Sequence, residues 1–261
     1  MTATTEHFIE TPLGRLFARA WTSADRPTKA AIVLLHDSLG CVDLWRTFPA
    51  TLCTATARQV IAYDRLGFGR SDPRSDQPQP DFVRQEAETY VPCLLRHFQM
   101  KRFVAFGHSV GGAMAICCGA VLPAATAAIV TESAQVFAED KTLQGIAAAR
   151  VEYARDERFE RLKKYHGEKA AWVLQAWTDT WLAPEFASWN VRRELEQLRS
   201  PLLALHGDRD EFGSLDHLEV AQRLSGAPVT THVMQGVGHV PHKEKPDSVV
   251  DLVSRFLEGC S

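Results

Sequence analysis

A chain of 261 residues, 45% apolar and 23% charged, has the balance of an ordinary globular protein of one domain, or one domain with an insertion, long enough to bury a sizeable core. Its formal net charge of −3 gives no basic excess to draw it to nucleic acid or an anionic membrane, and no apolar run reaches the length that spans a bilayer. The N-terminus lacks the basic and then apolar pattern of a secretory leader, and six scattered cysteines show no CxxC spacing. Neither a zinc site nor a redox pair is indicated, and reduced thiols in a cytoplasmic protein are the simplest reading.

In chain order, residues 7–10 and 15–21 are expected to be strands joined by a turn at Pro12-Leu13-Gly14. Residues 30–36 form a continuous branched apolar run, the signature of a strand covered on both faces, and 60–64, 103–107, 127–131 and 201–206 repeat it. Between them lie helical patterns. Val83, Ala87, Tyr90, Val91, Leu94, Leu95 and Phe98 recur near a 3.6-residue period, so 81–99 is expected to be a helix that Pro92 bends or breaks. Residues 110–121 are small and apolar enough for a buried helix, and 215–224 and 248–257 add two more. Alternating strands and helices imply an α/β fold with a parallel sheet and right-handed crossovers.

Residues 137–196 break the alternation with helical signals and no convincing strand, and are expected to form a helical cap inserted into a core of residues 1–136 and 197–261. Four of the six tryptophans fall here, and Val173, Trp177 and Trp181 share a helix face at i, i+4, i+8. These aromatics are either the packing stripe of the cap or, for Trp177 and Trp181, the lining of an apolar acyl pocket.

The chemistry begins at Gly107-His108-Ser109-Val110-Gly111-Gly112, a G-x-S-x-G sequence between an expected strand and an expected helix. A serine on so sharp a turn takes a strained backbone conformation, and a Cβ on either flanking glycine would strike neighbouring chain. The turn lifts the hydroxyl clear of the sheet, above a helix N-terminus that favours negative charge. A serine hydroxyl needs a base, and Gly236-Val237-Gly238-His239-Val240-Pro241-His242 offers two. His239 is preferred because its neighbouring glycine lets the loop approach Ser109, while His242 begins a charged stretch. The acid that orients the base is sought in the loop after the strand at 201–205, where Asp208, Asp210 and Glu211 all stand. Asp210 is favoured, Asp208 being suited to cap the turn, and Glu132 is a separate rival at the end of another strand. The order Ser109, Asp210, His239 is the one described for α/β-hydrolases. Negative charge on a tetrahedral intermediate needs fixed N–H donors. The backbone N–H groups of Val110 and of Ser38, in the loop His36-Asp37-Ser38-Leu39-Gly40, are the expected pair, and His36 is expected to tie loops together.

These motifs, with Tyr63-Asp64-Arg65-Leu66-Gly67-Phe68-Gly69-Arg70-Ser71-Asp72 and Gly207-Asp208-Arg209-Asp210, make nearly the whole chain resemble the α/β-hydrolase superfamily. The resemblance implies an eight-stranded, mostly parallel sheet flanked by helices, with a helical cap after the sixth strand. It places the acid at the last residue of Gly-x-x-Asp, hence Asp210, and gives the 64–72 segment a mainly structural role. It implies acyl transfer to Ser109 and then to water, with no metal or organic cofactor. The Trp-rich cap suggests a small, hydrophobic ester, and the charge balance suggests no nucleic-acid or membrane partner. Monomer and homodimer stay open. C–C bond hydrolysis, thioester hydrolysis and a non-catalytic small-molecule-binding role are the alternatives. Relatives that cleave haloalkanes or epoxides carry aspartate where this chain has Ser109. One departure stands out: many relatives have His-Gly where this chain has His36-Asp37.

Overall fold

The computed structural model describes residues 2–23, 29–153 and 155–260. Ala154, inside the stretch read as helical, lies outside them. Eight strands form one sheet: β1 (Ala3–Thr11), β2 (Gly14–Thr22), β3 (Ala31–Leu35), β4 (Val60–Tyr63), β5 (Phe103–His108), β6 (Thr126–Glu132), β7 (Leu202–Gly207) and β8 (Val229–Met234). Their spatial order is β1-β2-β4-β3-β5-β6-β7-β8, with β1/β2 and β2/β4 antiparallel and the remaining pairs parallel.

Every residue of β3, β4, β5 and β7 is buried, as the unbroken apolar runs require of strands covered on both faces. Alternate side chains sort the core into two layers. Val33, Leu35, Ile61, Ala105, Ile129 and Leu202 face one side, and Ile32, Leu34, Ala62, Phe106, Val130 and Leu203 face the other.

The helices are α1 (Phe48–Thr56), α2 (Phe82–Gln85), α3 (Val91–His97), α4 (Val110–Val121), α5 (Asp140–Tyr153), α6 (Asp156–His166), α7 (Ala170–Trp181), α8 (Arg192–Glu196), α9 (Asp216–Leu224), α10 (Pro241–Glu244) and α11 (Pro246–Glu258). The helix expected over 81–99 is divided just before Pro92. A wide π-helical turn at Glu86–Tyr90 joins α2 to α3, and Pro92 sits in the first turn of α3, where a missing N–H costs nothing. Helix α1 had no periodic signal: Pro49 and three threonines are weak helix formers, and its place is fixed by Phe48 and Leu52 packing against the sheet. Helix α4 is buried nearly all round, between β5 and β6 on one side and α8 on the other, which its small side chains permit.

The chain leaves the sheet after β6 and returns before α8 through a narrow neck. There Phe137 bridges Asn190, and backbone bonds run from Ala138 N to Trp189 O and from Val191 N to Val136 O, both 2.9 Å. Helices α5, α6 and α7 lie in this excursion, and α8 packs on α4 and α9. No helix among the described residues is long and apolar enough to cross a membrane.

Lys169 and His166 are among the side chains that fasten the excursion to the loops at the end of the sheet. Lys169 donates to the carbonyls of Phe68 and Ser71. His166, 2% exposed, accepts from Gly69 N–H at Nδ1 (2.9 Å) and faces Leu39 O with Nε2 (3.1 Å), which fixes the neutral ring with its proton on Nε2. Burial holds its pKa down at about 4. The folded state therefore binds fewer protons than the unfolded state between pH about 6.5 and about 4. The stability due to this ring is complete above that window and is lost as pH falls through it, by roughly 2–4 kcal/mol. Urea midpoints at pH 7 and pH 4.5 will fall further apart for wild type than for His166→Gln. An equal drop in both proteins would show that this ring is not the linked group.

Candidate active site

Ser109 sits between the end of β5 and the start of α4 with φ 58° and ψ −125°, a left-handed conformation that strains a residue bearing a Cβ. The flanking glycines make the turn possible. A Cβ on Gly107 would lie 1.9 Å from Gly111 O, and one on Gly111 would lie 2.2 Å from Leu35 O. The turn is also pinned from β6, where Ser109 N–H donates to Glu132 O at 2.9 Å.

The loop after β8 brings His239 to this turn, its Nε2 3.1 Å from Ser109 Oγ. The loop after β7 brings Asp210, whose two carboxylate oxygens are each 2.9 Å from His239 Nδ1. Asp210 is 2% exposed, and four donors surround it. Phe212 N–H and Gly213 N–H donate to Oδ1, and His206 Nε2 lies 3.1 Å from Oδ2, beside the contact with His239. Burial opposes ionisation of this carboxyl, but the bonds from His206 and His239 outweigh it and hold the group below the usual carboxylate range. With a carboxylate on Nδ1, the imidazole of His239 carries its proton there and presents Nε2 to the serine as an acceptor.

The two rivals of these residues find each other. Glu132 Oε2 lies 2.7 Å from His242 Nδ1 in a buried pair beneath the site, with the His242 ring 4.5 Å from that of Trp45. Asp208 accepts from Gly236 N–H at 2.7 Å, tying the β7 and β8 loops, and Glu211 lines the cavity described below. His36 ties loops as well, its Nε2 accepting from Arg65 N–H and its Nδ1 facing Asp37 O. Asp64 takes the N–H groups of Val42 and Arg70, each at 2.6 Å, a structural arrangement.

The candidate oxyanion donors flank the serine. Val110 is the first residue of α4, where backbone N–H groups have no partner within the helix. Ser38 lines the same cavity as Ser109 and His239. Asp37, in the same loop, also lines the cavity, and its Oδ2 lies 3.3 Å from His108 Nδ1.

That cavity has a volume of about 630 Å³. Ile146, Ala149, Leu162, Trp177, Trp181 and Phe212 supply its apolar wall. The helix stripe of the excursion thus divides: Trp177 and Trp181 line the cavity, while Val173 packs with Phe68 and Leu162. Exposed Arg158, Arg161 and Lys243 stand at the mouth, Arg158 paired with Glu152 at 2.8 Å. Gln135 escaped sequence reading. Its side-chain Oε1 is 3.0 Å from Ser109 Oγ, so the single hydroxyl proton has two acceptors in reach. The signal available was its place just beyond a parallel strand, where sites gather in open α/β sheets. Among the described residues, no group of three or more His, Cys, Asp or Glu side chains is arranged to hold a metal ion.

Residues 32–252 match the profile of the alpha/beta hydrolase family. Among curated proteins, 1-acylglycerol-3-phosphate O-acyltransferase ABHD5 of Mus musculus is 36% identical over 103 residues, 37% of this chain and 28% of that protein. Its Homo sapiens counterpart is 35% identical over the same length and shares. This chain thus spans little more than a quarter of the length of the curated relatives it matches. Among solved structures, the 2-hydroxy-6-oxo-6-phenylhexa-2,4-dienoate hydrolase of Rhodococcus sp. strain RHA1 superposes with a TM-score of 0.82 at 19% identity, covering 99% of this chain and 100% of that one. A membrane phospholipase A gives 0.81 at 22% identity, with 98% and 86% covered. Carboxylesterase CesB of Bacillus subtilis gives 0.75 at 18% identity, with 99% and 93% covered.

Proposed function

Because the chain belongs to the alpha/beta hydrolase family, we propose that it is a serine hydrolase that cleaves the carboxylic ester of a small, hydrophobic acyl donor through an acyl-enzyme on Ser109. The observation that carries this reading is Ser109 Oγ 3.1 Å from His239 Nε2, with Asp210 on Nδ1, at the wall of an apolar cavity.

In this reading His239 takes the hydroxyl proton as Oγ attacks the ester carbonyl, and Asp210 steadies the imidazolium that results. The oxyanion of the tetrahedral intermediate is met by the N–H groups of Val110 and Ser38. The C–O bond to the leaving group then breaks, and His239 gives its proton to the departing alkoxide. A water molecule, deprotonated by the same ring, attacks the acyl carbon, and Ser109 regains its proton as the acid leaves. Trp177, Trp181 and Phe212 would hold the acyl group by apolar contact. The small-molecule partner is taken to be met in the cytoplasm, in keeping with six unpaired cysteines.

One observation favours a second reading, thioester hydrolysis. Arg161 and Lys243 at the mouth suit a leaving group that carries phosphates more than a neutral alcohol. Beside them Arg158 is paired with Glu152, and Asp37 and Glu211 line the same cavity. Acyl transfer to an acceptor other than water, the activity in the curated relatives' name, would use the same acyl-enzyme.

A fluorophosphonate probe, followed by peptide mapping, is expected to label Ser109 in wild type and to label nothing in Ser109→Ala. An unlabelled wild-type protein would favour a small-molecule-binding role on this fold. A panel of p-nitrophenyl esters of two to eight carbons, acyl-CoA thioesters and vinylogous 1,5-diketones then ranks the bond types. The expected order puts the short esters first, and a kcat/KM at least tenfold higher for a thioester or diketone would overturn the ester assignment.

A further inference from the structure

We infer that Asp37 and His108 form a second carboxylate–imidazole pair whose task is to hold the main chain of His239, and with it the base, at working distance from Ser109. The inference rests on the serine-hydrolase reading above.

The imidazole of His108 lies between two acceptors. Its Nε2 is 2.8 Å from the carbonyl oxygen of His239, and its Nδ1 is 3.3 Å from Asp37 Oδ2. A neutral imidazole has one N–H, so only the doubly protonated ring serves both. The environment agrees. His108 is 1% exposed, and burial works against its charge, but the Asp37 carboxylate, Glu132 and the His239 carbonyl outweigh it and raise its pKa. In return the charged ring holds the Asp37 carboxyl low against its own burial.

The consequence is geometric. His108 and Ser109 are consecutive, and both reach His239: Ser109 through the ring at Nε2, His108 through the main chain at O. Nucleophile and base are thus two points on one closed loop of bonds, with Asp37 fixing the tilt of the ring that closes it. The other tethers of the base loop run elsewhere. Glu244 accepts from Gly238 N–H and Val240 N–H, and Arg209 N–H donates to Val237 O. None of these refers the base to the serine. Gly236 at φ 72° and Gly238 leave the loop backbone soft, so an added reference point has something to do. Asp37 also adjoins Ser38, so the same chain of contacts joins the expected oxyanion loop to the base. The aspartate that departs from the common His-Gly sequence is the member that makes His108 a double donor.

The test uses Asp37→Asn, His108→Leu and His108→Gln, a side chain that returns an N–H close to the place of Nε2. For each, kcat and KM for p-nitrophenyl butyrate and the rate of Ser109 phosphonylation by the fluorophosphonate are measured, with thermal unfolding as the check on folding. His108→Leu is expected to lower kcat and the labelling rate by about 10- to 100-fold, the scale of a base misplaced by about an ångström, with KM unchanged. Asp37→Asn removes the charge that fixes the ring's tilt but leaves Nε2–H free to donate to His239 O, and is expected to cost a smaller loss of about three- to tenfold. His108→Gln should recover to within about fivefold of wild type, and Asp37→Asn added to it should cost less than about twofold further, because a glutamine needs no carboxylate to donate. Wild-type rates in folded Asp37→Asn overturn the inference, as does a loss that His108→Gln fails to relieve or that falls on KM alone. If His108→Leu does not fold, Asp37→Asn in the two backgrounds decides alone. A wild-type protein that the probe does not label marks failure of the serine-hydrolase reading itself, before any variant is compared.

Discussion

Ser109→Ala folds as wild type does and turns over p-nitrophenyl butyrate at least about 10⁴-fold more slowly, the loss typical when the nucleophile of such a unit is removed. The substitution keeps the Cβ that the strained turn already accommodates, and it deletes one oxygen whose side-chain contacts are His239 at 3.1 Å and Gln135 at 3.0 Å. Nothing in the packing of α4 or β5 depends on that oxygen, so thermal unfolding should stay close to wild type. Rate and melting measured on the same preparation separate chemistry from folding. Turnover at the wild-type rate in a folded variant would remove Ser109 from the mechanism.

Asp210→Asn is expected to lower kcat by about 10³- to 10⁴-fold. Asparagine has the shape of aspartate but offers an NH₂ where a second acceptor oxygen stood. Two imidazoles, His206 and His239, now share a neutral amide in place of a carboxylate. His239 then loses the charge that would stabilise its protonated form and the partner that keeps its proton on Nδ1, so Nε2 is no longer held as an acceptor toward Ser109. Glu132→Gln makes the comparison fair. Glu132 is as deeply buried as Asp210 but pairs with His242, away from the serine, so its amide variant should lose less than about tenfold. A greater loss from Glu132→Gln than from Asp210→Asn would place the acid in the other pair.

Much of this was legible because it is written in local pattern. Unbroken branched apolar runs at residues 30–36 and 103–107 are what a doubly covered strand requires, and the small apolar run at 110–121 is what a helix crossing close beneath a sheet requires. The strand–turn–helix around Ser109 could be read in the same way, since its glycines stand where a Cβ would meet backbone at about 2 Å. What escaped has equally physical causes. Helix α1 has no periodic stripe strong enough to announce it, and the π-helical turn that divides the helix just before Pro92 leaves no mark in the apolar period. Gln135 belongs to no motif.

By itself the sequence determined the α/β architecture and the turn that carries Ser109, because strand periodicity, helix periodicity and the steric need for glycine act over a few neighbouring residues. Only the tertiary structure decided partnerships between residues 29 to 130 positions apart. Those are which of two histidines faces the serine, which of several acids faces that histidine, and that Asp37, distant from both in the chain, grips His108. Such contacts depend on where loops from β3, β5, β7 and β8 converge at one end of the sheet. That end is common to them because the four strands run parallel, a property of the assembled sheet and of no single segment.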